Sequence, residues 1–411
     1  MNTLHETLNR VVASLPELFL EKLITQKLKI QGITAPKTLP RKLAKHILSG
    51  SGDPFRYRGK TTPKDITLTF DENDADALTR AMDQFCEVKL PDLIAATAED
   101  LSKKTLKGLK RNWPAEKKLQ DAEFSGFRSR LEETWGKPLG KLRLLLAIAR
   151  EWCGEAHAAS SATGDQLNKL MVRFLTRACQ VTAEIICLLE NGFADGAMAR
   201  WRTLHEIGVV AAVISKHGKD IAERYVAHQA VESKKAMEKY LACYQKLGYK
   251  PVGARTVKKV DKAYNAALAL YGDPFKGDYG WAAHHLKNKR PTFLNLEAEA
   301  GYAEMRAPYQ MGNDNVHAGV KSMYMRLGLL TDYDSLLPGP SNAGFTDPGQ
   351  HAAHTLTQIA ALVCLSPKLD DIVAGKIMQM LREEIPQSFY LADKRLRKKD
   401  RDFRASESRR S

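Results

Sequence analysis

The chain has 411 residues, of which 63 are Lys or Arg and 48 are Asp or Glu, so its formal net charge is +15 at pH 7. Its hydrophobic fraction of 44% and charged fraction of 27% are those of a globular protein, and they exclude collagen-like and wholly disordered chains. At about 100–200 residues per domain, this length allows two domains, or one large domain with an extension.

The cysteines and the N-terminus are typical of a cytoplasmic protein. The six cysteines are scattered, and no two have the C-x-x-C spacing of a zinc site or a redox-active dithiol. The first 20 residues carry Glu6 and Glu17, unlike the basic and then apolar segments of a secretory signal. The longest apolar runs, 144–149 and 207–214, are far shorter than the roughly 20 residues that cross a bilayer. We therefore expect cytoplasmic localisation and no membrane partner.

Residues 1–119 are predicted to form a small α+β region. Apolar residues recur at helical spacing over the first 30 residues. The alternation of Ile66–Phe70 predicts a short strand, and the acids that follow it suit the positive end of a helix. Residues 101–118 contain seven basic residues and one acid, which fits either a linker or a basic helix face.

A long and continuous helical pattern predicts a helical-bundle domain over 120–391. Its best stretch, 167–188, has apolar residues three or four positions apart, and the turn residues 191–193 end it. Asp195 stands where an N-cap is expected, ahead of a second apolar helix over 198–214. Two long helices joined by so short a turn form an antiparallel hairpin.

The predicted fold class is mainly α: a large helical bundle with a smaller N-terminal α+β region and a basic C-terminal tail. The tail, 392–411, carries nine basic residues against four acids and is expected to be solvated.

The familiar catalytic motifs are absent from the sequence. It contains no Walker A sequence, no G-x-G-x-x-G, no G-x-S-x-G and no H-E-x-x-H. His351 and His354 share a predicted helix face, but no third metal ligand accompanies them, so a polar helix surface is the preferred interpretation. We expect no cofactor and no metal.

A polar stripe interrupts the second apolar helix. Arg202, His205 and Glu206 fall at i, i+3 and i+4, on one side of that helix. Because the surrounding positions are apolar, the stripe is expected to be partly buried, where an arginine must be paired and the pKa of a histidine is readily shifted. Two interpretations remain open: a reactive centre, or an Arg202–Glu206 ion pair that joins neighbouring helices.

A second polar cluster lies at Asn313, Asp314 and His317, preceded by Tyr309. A histidine among amides at a helix start is suited to general acid–base chemistry, or equally to capping and packing. If His317 faces the stripe, the two clusters together supply a cation for a phosphate, a base and an orienting carboxylate. Asn313, Asp314, Tyr309 and Trp281 are then the candidate substrate-binding residues.

Over about 165–365 the chain resembles a family of uncharacterised bacterial helical proteins with a domain of unknown function. The resemblance rests on an R-[ST]-L-x-E helix, here 202–206, and on a Tyr/Gly/Trp loop, here 278–281. A third motif, Y-x-x-[LM]-S-x-x-V-H, is represented by 309–317, with Gly312 and Asn313 replacing its apolar residue and serine. The resemblance implies an all-helical domain and leaves the activity open.

A looser similarity is to the HEPN ribonucleases, whose mark is R-x(4–6)-H on a helix of a dimeric bundle. Arg200 and His205 satisfy that spacing, but Trp201 replaces the usual small polar residue, and five helical residues place the pair about 140° apart. The similarity implies a dimer that cleaves RNA without a metal. His205 would then activate the ribose 2′-hydroxyl, and Arg200 or Arg202 would stabilise the phosphorane.

The leading functional expectation is thus a HEPN-like, metal-independent RNA-cleaving effector of prokaryotic stress or phage defence. Its partners are expected to be RNA, a second copy of the chain and a regulatory protein. One alternative is a non-catalytic helical module that binds nucleic acid or protein, with the stripe structural; the net charge suits either reading. Another is a small-molecule or nucleotide-processing enzyme with a pocket at Trp281–His285 and His317. The candidate catalytic residues are Arg200, Arg202, His205, Glu206 and His317.

Overall fold

The computed structural model describes residues 2–57, 65–163, 165–317, 319–330, 336–363 and 369–407. About 80% of the chain is helical, and no strand occurs in the described ranges, so the prediction of a mainly α helical bundle is confirmed. The chain divides into two compact units, Met1–Gln120 and Asp121–Ser411.

Unit 1 contains three helices and the first part of a fourth. These are α1 (Asn2–Ile30), α2 (Leu39–Leu48), α3 (Glu72–Gln84) and, after a π-helical turn at Phe85–Lys89, α4 (Leu90–Thr163). Helix α1 packs against α2 through a small apolar cluster, and its fully buried members are Leu20, Ile24, Leu28 and Ala44. Helix α3 begins with a capping box, in which the Asp71 and Asp74 carboxylates each accept from the other's backbone N–H at 3.0 Å.

The predicted α+β character of this unit is wrong. Residues 66–70 form neither a strand nor a helix in the described part of the chain. Two of their carbonyl groups accept instead from side chains of α1: the Lys27 ammonium bonds Thr69 O at 3.0 Å, and the Gln31 amide bonds Thr67 O at 3.3 Å. The alternating pattern therefore marks a segment that lies along a helix, where side-chain donors replace a sheet neighbour.

Unit 2 contains the rest of α4 and ten further helices within the described ranges. These are α5 (Gln166–Glu190), α6 (Ala194–His217), α7 (Lys219–Ala227), α8 (Gln229–Cys243), α9 (Ala254–Tyr271), α10 (Phe293–Ala300), α11 (Arg306–Asp314), α12 (Val320–Tyr324), α13 (Thr346–Val363) and α14 (Leu369–Glu407). Helices α5, α6 and α13 pack on one another at the centre, and α14 packs along α13.

The hairpin of α5 and α6 forms because both helices bury continuous apolar faces. Asp165 caps α5 by accepting from Leu167 N at 3.1 Å, and Gly192 supplies the positive φ of +83° that the turn requires. The expected N-cap role of Asp195 is wrong, since Phe193 is the cap and Asp195 lies in the first turn. Its carboxylate accepts instead from the backbone N–H of Leu327 at 2.8 Å.

A polar contact in the core joins α6 to α13. The indole of Trp201 is fully buried and donates to the Thr355 hydroxyl at 3.0 Å, and that hydroxyl donates in turn to His351 O at 2.9 Å. Gly208 lets the two helices approach, because a Cβ there would lie 3.2 Å from Thr355 Cγ2. This contact fixes the rotation of α6, and therefore the direction in which its polar stripe faces.

The expected basic tail belongs to α14 as far as Glu407, and residues 408–411 lie outside the described ranges. Within that stretch Arg397 pairs with Asp393 and Arg404 with Asp400, each at helical i,i+4 spacing. No helix in the described part of the chain combines the length and the hydropathy needed to cross a membrane.

Thr355→Val is expected to destabilise unit 2 by about 1–3 kcal/mol, because it leaves the buried indole N–H of Trp201 without an acceptor. The matched control is Thr357→Val, which also removes a hydroxyl bonded within α13, to Ala353 O, but no second partner. Urea unfolding of the two variants measures the difference, and equal losses would contradict this role of Thr355.

Candidate functional site

The polar stripe of α6 faces two short helices, α10 and α11. Two sets of contacts join these three elements, one centred on His205 and the other on Glu206. The residues that complete them are Glu297 on α10, with Arg306 and Tyr309 on α11. We call these five residues, together with Arg202, the α6 network.

The sealed end of the α6 network is a carboxylate between a histidine and an arginine. Glu297 is fully buried, and His205 is only 2% exposed. The His205 Nε2 atom lies 3.1 Å from Glu297 Oε1, and Arg306 Nη1 donates to Glu297 Oε2 at 2.9 Å. Both oxygens of the buried carboxylate are thus bonded, which compensates for the loss of water.

The open end of the α6 network is centred on Tyr309. Its hydroxyl donates to Glu206 Oε1 at 2.7 Å, and Arg202 Nε lies 3.1 Å from the same oxygen. The Arg202 and Arg306 guanidinium groups lie 5.1 and 5.2 Å from the centre of the Tyr309 ring, within cation–π range. The Arg202 and Glu206 side chains remain 25% and 37% exposed, so water reaches this end, whereas His205 and Glu297 are shielded from it.

Burial determines the protonation of the network. It lowers the pKa of His205, although the Glu297 carboxylate opposes that shift, so the imidazole is neutral near pH 7. Burial, together with the bond to the Glu206 carboxylate, raises the pKa of Tyr309 to about 12. A neutral histidine enclosed by aromatic rings and bonded to an unexposed carboxylate has no access to a ribose hydroxyl.

Arg200 points away from His205. Its guanidinium pairs with Glu184 on α5 and donates to Thr203 Oγ1 at 3.3 Å, whereas His205 faces α10. The two residues of the R-x(4)-H pattern therefore lie on different sides of α6, as their spacing of about 140° requires.

The second predicted cluster does not join the network, except through Tyr309. His317 is exposed just after α11, and its side chain makes no hydrogen bond or ring contact with any described residue. Asp314 pairs with Lys321 at 2.9 Å. The Asn313 Oδ1 atom is buried and lacks a described partner. Trp281 is 3% exposed and packs edge-on against Tyr225, as a core residue.

His351 and His354 also differ from their expected surface position. His351 lies 4.8 Å from Trp201, centre to centre, and His354 Nδ1 accepts from Arg382 Nε at 2.9 Å. Burial, with smaller contributions from His354 and His205, lowers the pKa of His351 to about 4. Among the described residues no group of three His, Cys, Asp or Glu side chains is arranged to hold a metal ion.

The sequence did not reveal Glu297, the partner of His205, or Arg306, the second partner of Glu297. Glu297 shares a helix face with Phe293 and Leu296, and an acid on an apolar face is the one signal that could have marked it as buried. Nothing in the local sequence distinguishes Arg306 from the other arginines.

The comparisons with known proteins bear on this part of the chain. Residues 168–334 match the model of a family of unknown function (DUF5677). No curated protein and no solved structure matches the chain. The matched range contains the entire α6 network, from Arg202 to Tyr309, and it supports the expected resemblance to a family of unknown function.

A second candidate surface lies in unit 1, on α4. Every side chain from 109 to 120 is exposed, and five cations in this region pair with no described residue: Lys107, Lys110, Arg111, Lys117 and Lys118. At 100° per residue they occupy an arc of about 120° and a length of about 16 Å. Only Lys103 and Lys104, one turn earlier, have acidic partners, Glu99 and Asp100. We call the five unpaired cations the α4 basic face.

Glu297→Gln is expected to destabilise the protein by about 2 kcal/mol, because it removes the charge that both His205 and Arg306 contact inside the bundle. The matched control, Glu299→Gln, removes a carboxylate of the same helix that pairs with Lys216 and His217 near the surface, and it should cost about 1 kcal/mol or less. Urea unfolding measures both, and equal costs would show that burial of Glu297 does not matter.

The free energy of unfolding is expected to fall as the pH falls below 6.5. Between pH 6.5 and 4 the unfolded chain protonates His351 and the folded chain does not, which costs up to about 1.4 kcal/mol per pH unit. The lowered pKa of His205 acts in the same direction. His351→Gln should therefore lose about 1.5 kcal/mol less than the wild type between pH 6.5 and 5, as measured by urea unfolding. Parallel curves would contradict the burial of a neutral His351.

Proposed function

We propose that the protein is a non-catalytic, nucleic-acid-binding helical protein of the cytoplasm, in which the α6 network is structural. The observation that carries the proposal is the seal around His205, whose partner Glu297 has no exposed surface. A general base must lie within hydrogen-bond reach of the proton that it removes. Among the described residues, Glu297 is the one hydrogen-bond partner of the His205 side chain.

This geometry favours binding over the RNA-cleaving reading. In a HEPN-like mechanism Arg200 and His205 act on the same phosphodiester, but Arg200 is paired with Glu184 and faces α5. Arg202, the other candidate for the phosphorane, lies beside Glu206 and Tyr309. Each candidate catalytic side chain of α6 therefore pairs with another side chain of the protein.

The cations of the α4 basic face have no described partner within the protein, unlike the charges of the α6 network. A nucleic-acid strand that keeps its helical stacking carries one phosphate per 3.4 Å of rise, so a length of about 16 Å faces about five phosphates of such a strand. That number equals the number of unpaired cations on the face.

Apolar side chains border the α4 basic face on one side. Leu106, Leu109 and Trp113 are 52%, 64% and 53% exposed and fall within about 60° of one another on α4. An exposed indole beside a row of cations is suited to a single strand, because bases stack on the ring while phosphates contact the lysines. We therefore expect a preference for single-stranded RNA or DNA over duplex.

The test is the affinity of the full-length protein for a short single-stranded RNA, measured by fluorescence anisotropy over a range of salt concentrations. Replacing the five cations of the α4 basic face by Gln should weaken binding and make the slope of log K against log salt shallower by about 3.5, at about 0.7 per lost contact. Trp113→Ala should weaken binding with little change in that slope.

A control variant separates the α4 basic face from overall charge. Replacing Lys246, Lys250, Arg255, Lys258 and Lys259 by Gln removes the same number of exposed cations from unit 2. Equal losses of RNA affinity in the two variants would contradict the assignment of RNA binding to the α4 basic face. RNA cleavage in EDTA that disappears in His205→Ala, but not in Glu299→Gln, would overturn the proposal in favour of a ribonuclease.

A further inference from the structure

A cavity of about 390 Å³ lies in unit 2, beside the loop that connects α9 to α10. Its walls come from α7, the end of α9 and the loop residues 274–289, and its volume is within the range of small-molecule sites. Neither the α6 network nor His317 lines it. The cavity is therefore separate from both sites discussed above.

The charges that line the cavity are all of one sign. Arg224, Lys287 and Lys289 line it together with His284, and none of its lining residues is acidic. The nearby acids are occupied elsewhere: Asp220 bonds His285 and Arg224, and Asp273 bonds Lys276. Three cations around one cavity favour an anion with more than one charge.

The guanidinium of Arg224 is held in a fixed position. Its Nε donates to Asp220 Oδ2 at 2.9 Å, and its Cζ atom lies 4.9 Å from the centre of the Tyr271 ring. Asp220 is the only hydrogen-bond acceptor described for this guanidinium. An arginine held in this way binds a phosphate with little loss of side-chain entropy.

One wall of the cavity is apolar. Leu270, Tyr271, Pro274 and Phe275 form it, and Leu270 is 72% exposed at the rim. Gly280 also lines the cavity. Its backbone approaches Phe275 so closely that a Cβ there would lie 2.7 Å from Phe275 Cα. The cavity thus offers an apolar surface next to a cationic one, which suits a ligand with an apolar ring and a phosphate.

Lys287 adopts a backbone conformation that its side chain disfavours. Its φ of +49° is the only positive value outside glycine among the described residues. It lies within the short turn closed by Asn288 N donating to Ala283 O at 3.1 Å, at a position where glycine or asparagine is preferred. A lysine at such a position costs stability, and strained residues of this kind are typical of binding sites.

We propose that this cavity binds a nucleoside phosphate, with the phosphate between Arg224, Lys287 and Lys289 and the base against the apolar wall. Such a group is either a free mononucleotide or the phosphorylated end of a nucleic-acid strand. The site does not depend on the α4 basic face.

The experiment is calorimetric titration of the full-length protein with ADP, with pyrophosphate and with adenosine, at constant ionic strength. ADP should bind more tightly than pyrophosphate, which cannot reach the apolar wall, and adenosine should bind most weakly. Lys287→Gly combined with Lys289→Gln should weaken ADP binding by about tenfold or more, because each lost cation removes a charge-assisted contact.

Two further variants make the outcome specific. Lys287→Gly alone should raise the Tm while it weakens ADP binding, since it relieves the strained backbone and removes a ligand contact. Lys258→Gln combined with Lys259→Gln, at the far end of α9, is the matched control and should leave ADP affinity unchanged. No binding of ADP or pyrophosphate at millimolar concentration, or equal losses in the control, would overturn the proposal.

A last comparison identifies the source of the phosphate. A 5′-phosphorylated oligonucleotide that competes with ADP better than its 5′-hydroxyl form supports a strand end as the ligand, and no difference between the two supports a free nucleotide. The variant without the α4 basic face should keep its affinity for ADP. This result distinguishes a failure of the cavity proposal from a failure of the proposal that the α4 basic face binds nucleic acid.

Discussion

The buried carboxylate of Glu297 is the constraint around which unit 2 is arranged. A charge with no exposed surface is tolerated only when both of its oxygens are bonded, and here His205 and Arg306 provide those bonds. The two partners come from α6 and α11, so satisfying one side chain of α10 fixes three helices relative to one another. Gly312 permits the close packing of α11 on α6, because a Cβ there would lie 3.3 Å from Arg202 Cβ.

This arrangement divides the charges of the protein into two groups. In the α6 network each charge has a partner, and its orientation serves the packing of the bundle. On the α4 basic face and around the cavity of unit 2, cations outnumber their acidic neighbours. Charges with internal partners have already exchanged water for protein contacts, whereas unpaired cations remain available to an external anion. Our two proposals therefore concern these surfaces, away from the densest cluster of polar residues.

The helices of the bundle could be predicted from periodicity, because α5 and α6 bury long apolar faces that repeat every three or four residues. The hydrogen-bond partners of residues 66–70 could not be predicted, because an alternating pattern does not say whether a sheet or a helix supplies them. Periodicity also placed Arg202, His205 and Glu206 on one side of α6. It could not identify Glu297, which is 92 residues away along the chain from His205.

Aromatic residues in glycine-rich loops were the least predictable feature. Trp281 and Tyr279 belong to the same short motif, yet Trp281 is a core residue against Tyr225, while Tyr279 lies near Phe293 and the open end of the α6 network. The difference follows from Gly280, which brings this segment against the Phe275 backbone and turns the two neighbouring side chains in different directions.

The same loop contains two residues with unusual backbone requirements, and packing accounts for only one of them. At Gly280 the fold requires the absence of a side chain, so the residue serves packing alone. At Lys287 the backbone would accept glycine more readily than lysine, yet a lysine is present and lines the cavity. Packing explains why residue 280 is a glycine, but it does not explain why residue 287 is a lysine. A residue that costs stability where a more stable one would fit is best explained by what its side chain binds.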